Sequence, residues 1–229
     1  MRVVIADDHA RQAAAHVAVA LREAASERGR ATLAVSGGST PGDLLEALAA
    51  QPLPWDRLHV FQVDERFAPA GHTERNLELL RGRLLADRPL PDGQVHPMPV
   101  DNPDPEAAAE RYAAQLAEVA GVPPVLDVVQ LGLGSDGHTA SLLPGDPVVD
   151  VVDRDVAVTG SYGGWRRLTL TLPIIARARS LVWLVSGADK RGAVARLLAG
   201  DPAIPAGRVP GDRAVAFLDP AAAPDPPAS

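Results

Sequence analysis

The 229-residue chain contains no cysteine. That excludes disulfides, thiolate catalysis and cysteine-ligated zinc. Aromatic residues make up only 3% of the chain, so aliphatic side chains and alanine must fill the core. Lysine is almost missing: of 22 Lys+Arg residues only Lys190 is lysine, and that isolation singles it out. No run approaches the ~18 apolar residues that span a bilayer, and the first residues carry no apolar stretch of signal-peptide length. The expected location is the cytoplasm, with no membrane partner. Basic residues fall short of acidic ones and leave a formal charge of −7. An acidic surface repels phosphate backbones, so no nucleic-acid partner is expected. A local cationic cluster can still hold a small anion. No H-E-x-x-H and no close histidine pair is present, so neither metal nor cofactor is expected. Ala, Arg, Gly and Pro are abundant, and their GC-rich codons point to a bacterium of high genomic GC content.

The chain is 46% hydrophobic and 22% charged, and its length suits one α/β domain. Strand-like runs at Val3–Ala6, Thr32–Ser36, Leu58–Val63, Leu126–Leu131, Leu168–Leu172, Leu181–Val185 and Ala214–Leu218 alternate with helical patterns. Helices are expected over His9–Arg28, Thr40–Ala50, Thr73–Ala86, Asp104–Gly121 and Asp189–Ala199. Asp104 followed by Pro105 is a strong helix start. Leu126–Leu131 is expected at the centre of the sheet, and Leu168–Leu172, alternating Leu and Thr, as a half-buried strand. The alternation predicts an α/β, Rossmann-like, mostly parallel sheet with helices on both faces. Residues 1–218 form the expected domain, and the Pro/Ala-rich tail 219–229 is expected to fray. A monomer is the expected state.

Candidate functional residues follow the strands, where open α/β sheets bind ligands. Ser36-Gly37-Gly38-Ser39-Thr40-Pro41 links a strand to a helix, with Thr40 the expected N-cap. Its glycines and helix start suit phosphate, although a tight turn that binds nothing reads equally well locally. Asp64-Glu65-Arg66 ends a strand: Arg66 suits a phosphate and Asp64 a sugar hydroxyl or a histidine, against a solvated charged turn. Gly132-Leu133-Gly134-Ser135-Asp136-Gly137 matches the dinucleotide fingerprint. Pro144 and Gly145 leave no room for its crossover helix, and the reading is rejected, although Asp150, Asp153 and Asp155 imitate its ribose-binding acid. What remains is Asp136-Gly137-His138 on a glycine turn: a general base beside a carboxylate, or a structural histidine. Arg166 and Arg167 precede a strand. Lys190 sits in the first turn of a helix, against the macrodipole, a conflict that an anion would ease. His9, His16, His59, His72 and His96 are read as structural or surface residues.

Taken together, these segments resemble the 6-phosphogluconolactonase family. Ser36–Pro41 is similar to its SGGSTP loop, Val63–Arg66 with Asn76 to its VDER…N segment, and Leu131–Gly145 to its LGxGxDGHTASLFPG signature, with Leu143 where Phe is usual. Arg167 with Leu168–Pro173, and Ser186–Lys190, resemble its R-x-T-L-T-L-P and SGxxK segments. The resemblance implies a metal-free hydrolase of a sugar-phosphate lactone. It implies His138 as general base on water, oriented by Asp136 and also by Asp64. It implies a phosphate held by Arg66, Lys190 and the Ser36–Thr40 loop, with help from Arg167. A deaminase/isomerase of the same fold resembles GxDGHIAFNEPG and carries a Glu after the histidine, whereas this chain has Ser141-Leu142-Leu143-Pro144. A sugar-phosphate sensor usually brings a DNA-binding module, and no spare length exists for one.

Overall fold

Short apolar runs, too short for helices and rich in valine and leucine, become the strands of one parallel sheet. The computed structural model describes residues 1–86, 90, 91 and 93–224, without the Ser39 side chain. In chain order the elements are β1 (Arg2–Ile5), α1 (His9–Arg28), β2 (Ala31–Val35), α2 (Ser39–Ala49), β3 (Leu58–Gln62), β4 (Asp64–Arg66), α3 (Asn76–Arg83), β5 (Val95–His96), α4 (Pro105–Ala120), β6 (Val128–Leu131), β7 (Val156–Val158), β8 (Arg167–Leu170), α5 (Leu172–Arg177), β9 (Ser180–Val185), α6 (Arg191–Leu198) and β10 (Ala214–Leu218). Seven strands form the main sheet in the order β1-β10-β9-β6-β2-β3-β5, and every pairing is parallel. β6 lies in the middle, as expected for Leu126–Leu131, and the polar residues of that run, Asp127 and Gln130, are buried with it. β4, β8 and β7 make a separate antiparallel sheet.

The period of two along each strand divides the core between the two faces. Leu33, Val60, Val128, Val182, Leu184 and Phe217 pack under α1, α2 and α3. Ala34, Phe61, Val129, Leu131, Trp183 and Leu218 pack under α4, α5, α6 and the small sheet. α1 approaches through alanine: Ala13, Ala14, Ala18, Ala24 and Ala25 are buried with Val17 and Leu21. That is how a core poor in aromatics closes. α4 begins as the sequence predicts, with Asp104 accepting from the N–H groups of Glu106 and Ala107.

Several expectations change. Thr40 is not an N-cap: Gly38, at φ 111°, starts α2 one residue before Thr40, without a side-chain cap. α3 begins at Asn76 rather than Thr73 because Glu65, a residue of β4, caps it from outside. Ala188–Lys190 is a 3-10 turn leading into α6 rather than its first turn. β8 is wholly buried, not half-buried. Thr169 Oγ1 is satisfied there by the Leu170 carbonyl and the Ser141 N–H, and Thr171 Oγ1 donates to the Arg154 carbonyl. Part of the expected frayed tail is docked: Asp219 accepts from the N–H groups of Gly187 and Ala222, and Ala222 is fully buried. Residues 225–229 lie outside the described residues. Among the described residues, no helix is long and apolar enough to cross a membrane.

Candidate active site

Because the main sheet is parallel, the loops after β2, β6 and β9 leave from the same edge. They converge on a cleft of about 230 Å³. Ser36, Gly37, Gly38 and Thr40 line it from the first loop, Gly134 and His138 from the second, and Ser186 and Lys190 from the third. The small sheet adds Asp64, Arg66 and Arg167. The Ser39 side chain is outside the described residues.

His138 and Asp136 are bonded. The imidazole Nδ1 lies 2.6 Å from Asp136 Oδ1, and the same oxygen accepts from the His138 N–H at 3.0 Å. Burial pushes the Asp136 carboxyl up, but these two bonds and the imidazole charge outweigh it and hold it below its ordinary value. An ionised Asp136 fixes the imidazole proton on Nδ1 and leaves the Nε2 lone pair free to accept. Gly134 makes the space: a Cβ there would lie 2.1 Å from His138 Nδ1 and 2.6 Å from Asp136 Oδ1. Gly137 turns the chain at φ 87° with Ile204 packed against it. Just after the histidine, Ala140 adopts φ 52°, a left-handed conformation that side chains rarely take, and it too lines the cleft.

Asp64 does not orient His138. Among the described residues its partners are Ser141, whose Oγ donates at 2.5 Å, and Asn76, whose Nδ2 donates at 3.1 Å. The ladder explains this, because Asp64 lies opposite Thr169, which accepts from the N–H of Ser141. Asp64 therefore ties the histidine loop to the small sheet. Its neighbour Glu65 is fully buried and accepts four N–H bonds, from Gln62 Nε2 and from the backbone of Arg66, Asn76 and Leu77. Burial pushes its carboxyl up despite those donors. Asn76 closes the arrangement against the first loop, where a Cβ on Gly37 would lie 1.8 Å from its Oδ1.

Arg66 and Arg167 face one another across the β4–β8 ladder. Like charges in directly opposed positions are destabilising. Burial, and next the Arg66 charge, push Arg167 below its ordinary value. Each Nε is buried without a partner among the described residues, although other atoms are bonded: Arg66 Nη1 to the Glu74 carbonyl, Arg167 Nη1 weakly to Ser141 Oγ. Two paired cations with spare donors are suited to an oxyanion between them. Lys190 adds a third charge, 3.0 Å from Asp189. Ser36 is less free than its sequence position implies, since its Oγ donates to the Gln130 carbonyl and anchors the loop to β6. The first turn of α2 has no side-chain cap among the described residues, and a helix start of that kind suits an anion. Among the described residues no group of three His, Asp or Glu could hold a metal ion.

The sequence motifs include Glu65, Ser141 and Ser186 without giving them a role, and Tyr162 lies outside every motif. Tyr162 sits on a glycine hairpin, its ring 5.0 Å from the Arg167 guanidinium and 6.5 Å from the His138 ring. Its SYGGW context is the one signal that could have marked it. For Ser141 the signal is adjacency to His138, and for Ser186 adjacency to the Lys190 turn.

Comparison with known proteins gives a consistent result. The family model of glucosamine-6-phosphate isomerases/6-phosphogluconolactonase matches residues 5–217. A curated 6-phosphogluconolactonase of Synechocystis sp. is 45% identical over 187 residues, covering 80% of this chain and 78% of that protein. The crystal structure of 6-phosphogluconolactonase from Thermotoga maritima superposes with a TM-score of 0.85 at 26% identity, covering 95% and 98% of the two chains. A monomeric glucosamine-6-phosphate deaminase shares the fold, with a TM-score of 0.83 at 19% identity over 97% of this chain and 98% of that one. The chain belongs to the glucosamine-6-phosphate isomerase/6-phosphogluconolactonase family.

Proposed function

We propose that this protein is a 6-phosphogluconolactonase, hydrolysing 6-phospho-D-glucono-1,5-lactone to 6-phospho-D-gluconate in the cytoplasmic pentose phosphate pathway. The observation that carries the reading is the His138–Asp136 pair, held at the cleft with its Nε2 free to accept. Nε2 takes a proton from water as the water oxygen attacks the lactone carbonyl. The tetrahedral intermediate collapses, the bond from the carbonyl carbon to the ring oxygen breaks, and the imidazolium returns its proton to that leaving oxygen. A lactone is an activated ester, so one base and water suffice without a covalent nucleophile or metal. Arg66, Lys190 and the Gly37–Gly38 loop bind the 6-phosphate, with Arg167 beside Arg66.

The deaminase reading is disfavoured by the segment after His138. Ser141, Leu142 and Leu143 are buried there and carry no carboxylate to assist ring opening. The discriminating experiment offers the purified protein the phosphorylated lactone and, separately, glucosamine 6-phosphate. Lactone hydrolysis well above the spontaneous rate, with no ammonia from the amino sugar, is the expected result. Ammonia release without lactone acceleration would refute the assignment.

A further inference from the structure

His9 opens α1, far in sequence from the cleft, yet its imidazole reaches the rim. Its Nε2 lies 2.7 Å from Ser186 Oγ, across 177 positions of sequence. Ser186 leaves the end of β9, lines the cleft and precedes the turn that carries Lys190. That turn is held from a second side, where the Gly187 N–H donates to both carboxylate oxygens of Asp219 at 3.1 and 3.0 Å.

The other imidazole nitrogen decides what the pair does. His9 Nδ1 is buried and has no partner among the described residues. A buried N–H without an acceptor is rarer and more costly than an under-used lone pair. The proton therefore sits on Nε2 and is donated to Ser186 Oγ. The serine hydroxyl then keeps its own proton for another acceptor. Ser186 is partly exposed at the cleft, which also holds Arg66, Arg167 and Lys190. The acceptor that matches those charges is an anionic oxygen.

We infer that His9 and Ser186 form a preset hydrogen-bond donor for the substrate's phosphate, with Ser186 making the contact and His9 positioning its hydroxyl. The inference rests on the lactonase reading for the identity of the phosphate bearer. Ser186→Ala should raise KM for the phosphorylated lactone about 10- to 150-fold, from a charged hydrogen bond of ~1.5–3 kcal/mol. kcat should fall far less. The kcat/KM preference for the phosphorylated lactone over gluconolactone should shrink by the same factor. His9→Phe should move KM in the same direction, and His9→Gln, which restores a donor, should recover part of the loss. Because the two residues act through one bond, the double variant should lose no more than Ser186→Ala alone. An unchanged KM in Ser186→Ala, equal losses on both lactones, or additive losses in the double variant would overturn the inference. Calorimetric titration of inorganic phosphate into the wild type and Ser186→Ala separates this outcome from failure of the lactonase reading. If the wild type does not accelerate lactone hydrolysis, weaker phosphate binding by the variant still upholds the pair, and equal binding rejects it.

Discussion

Gly134→Ala tests the catalytic geometry without removing a catalytic group. Gly134 has no positive φ, so its backbone accepts alanine, and the perturbation is purely steric. The added Cβ would sit 2.1 Å from His138 Nδ1 and 2.3 Å from Cε1, where ordinary contact begins near 3.4 Å. The imidazole must therefore shift by more than about 1 Å, and its 2.6 Å bond to Asp136 breaks or tilts. A misplacement of ~1 Å costs up to about 10²-fold in rate, and outright loss of a general base ~10²–10⁴-fold. We expect kcat to fall about 10²-fold, with KM nearly constant because the phosphate contacts lie elsewhere in the cleft. His138 and Asp136 are partly exposed, so the fold should tolerate the shift and the melting temperature should change little. Gly137→Ala is the contrasting control: φ is 87° and Ile204 Cβ lies 2.6 Å away, so stability should suffer first. The assay is continuous acid release on the phosphorylated lactone, paired with thermal melts. A Gly134→Ala protein with wild-type kcat would show that the His138–Asp136 geometry is irrelevant to turnover.

Three further outcomes follow from the same contacts. Lys190→Met should raise KM for the phosphorylated lactone about 10- to 150-fold, and steady-state kinetics on gluconolactone should show a much smaller loss; equal losses would place Lys190 at the carbonyl. Glu65→Gln turns an NH₂ group toward two of four N–H donors and should cost about 2–6 kcal/mol in urea denaturation; a near-neutral change would mean that Glu65 is already protonated in the folded protein. Burial, then His59, lowers His96 from 6.5 to about 4. The unfolded chain therefore binds the extra proton first, and stability should fall as pH drops from about 6.5 toward 4. Urea midpoints should record this fall, and His96→Asn, which does not titrate, should flatten the slope.

Local chemistry was the most legible part of the sequence. Asp104–Pro105 marks a helix start through contacts within three residues, and the run Leu126–Leu131, apolar except for Asp127 and Gln130, reads as a buried strand. The two- and three-residue strands β4, β5 and β7, and the six-residue helix α5, carry too little periodicity to be seen. The Leu-Thr alternation at 168–172 misleads because buried threonines satisfy their hydroxyls on nearby backbone. Most of the candidate site residues turn out to line one cleft, because their strands end at one edge of the sheet. What they do to each other was not legible. The Asp64–Ser141 bond crosses 77 positions and the His9–Ser186 bond 177, and neither leaves a local trace. The Arg66–Arg167 opposition exists only through the register of the small sheet.

Turnover in this cleft is proposed to be hydrolysis of a phosphorylated lactone with His138 as the base. The direct measurement is the initial rate of 6-phosphoglucono-δ-lactone consumption by the wild type and by His138→Ala, side by side above the spontaneous background. The expected result is strong acceleration by the wild type and a kcat lower by ~10²–10⁴-fold in the variant, with 6-phosphogluconate binding retained. A variant that turns over like the wild type would contradict it.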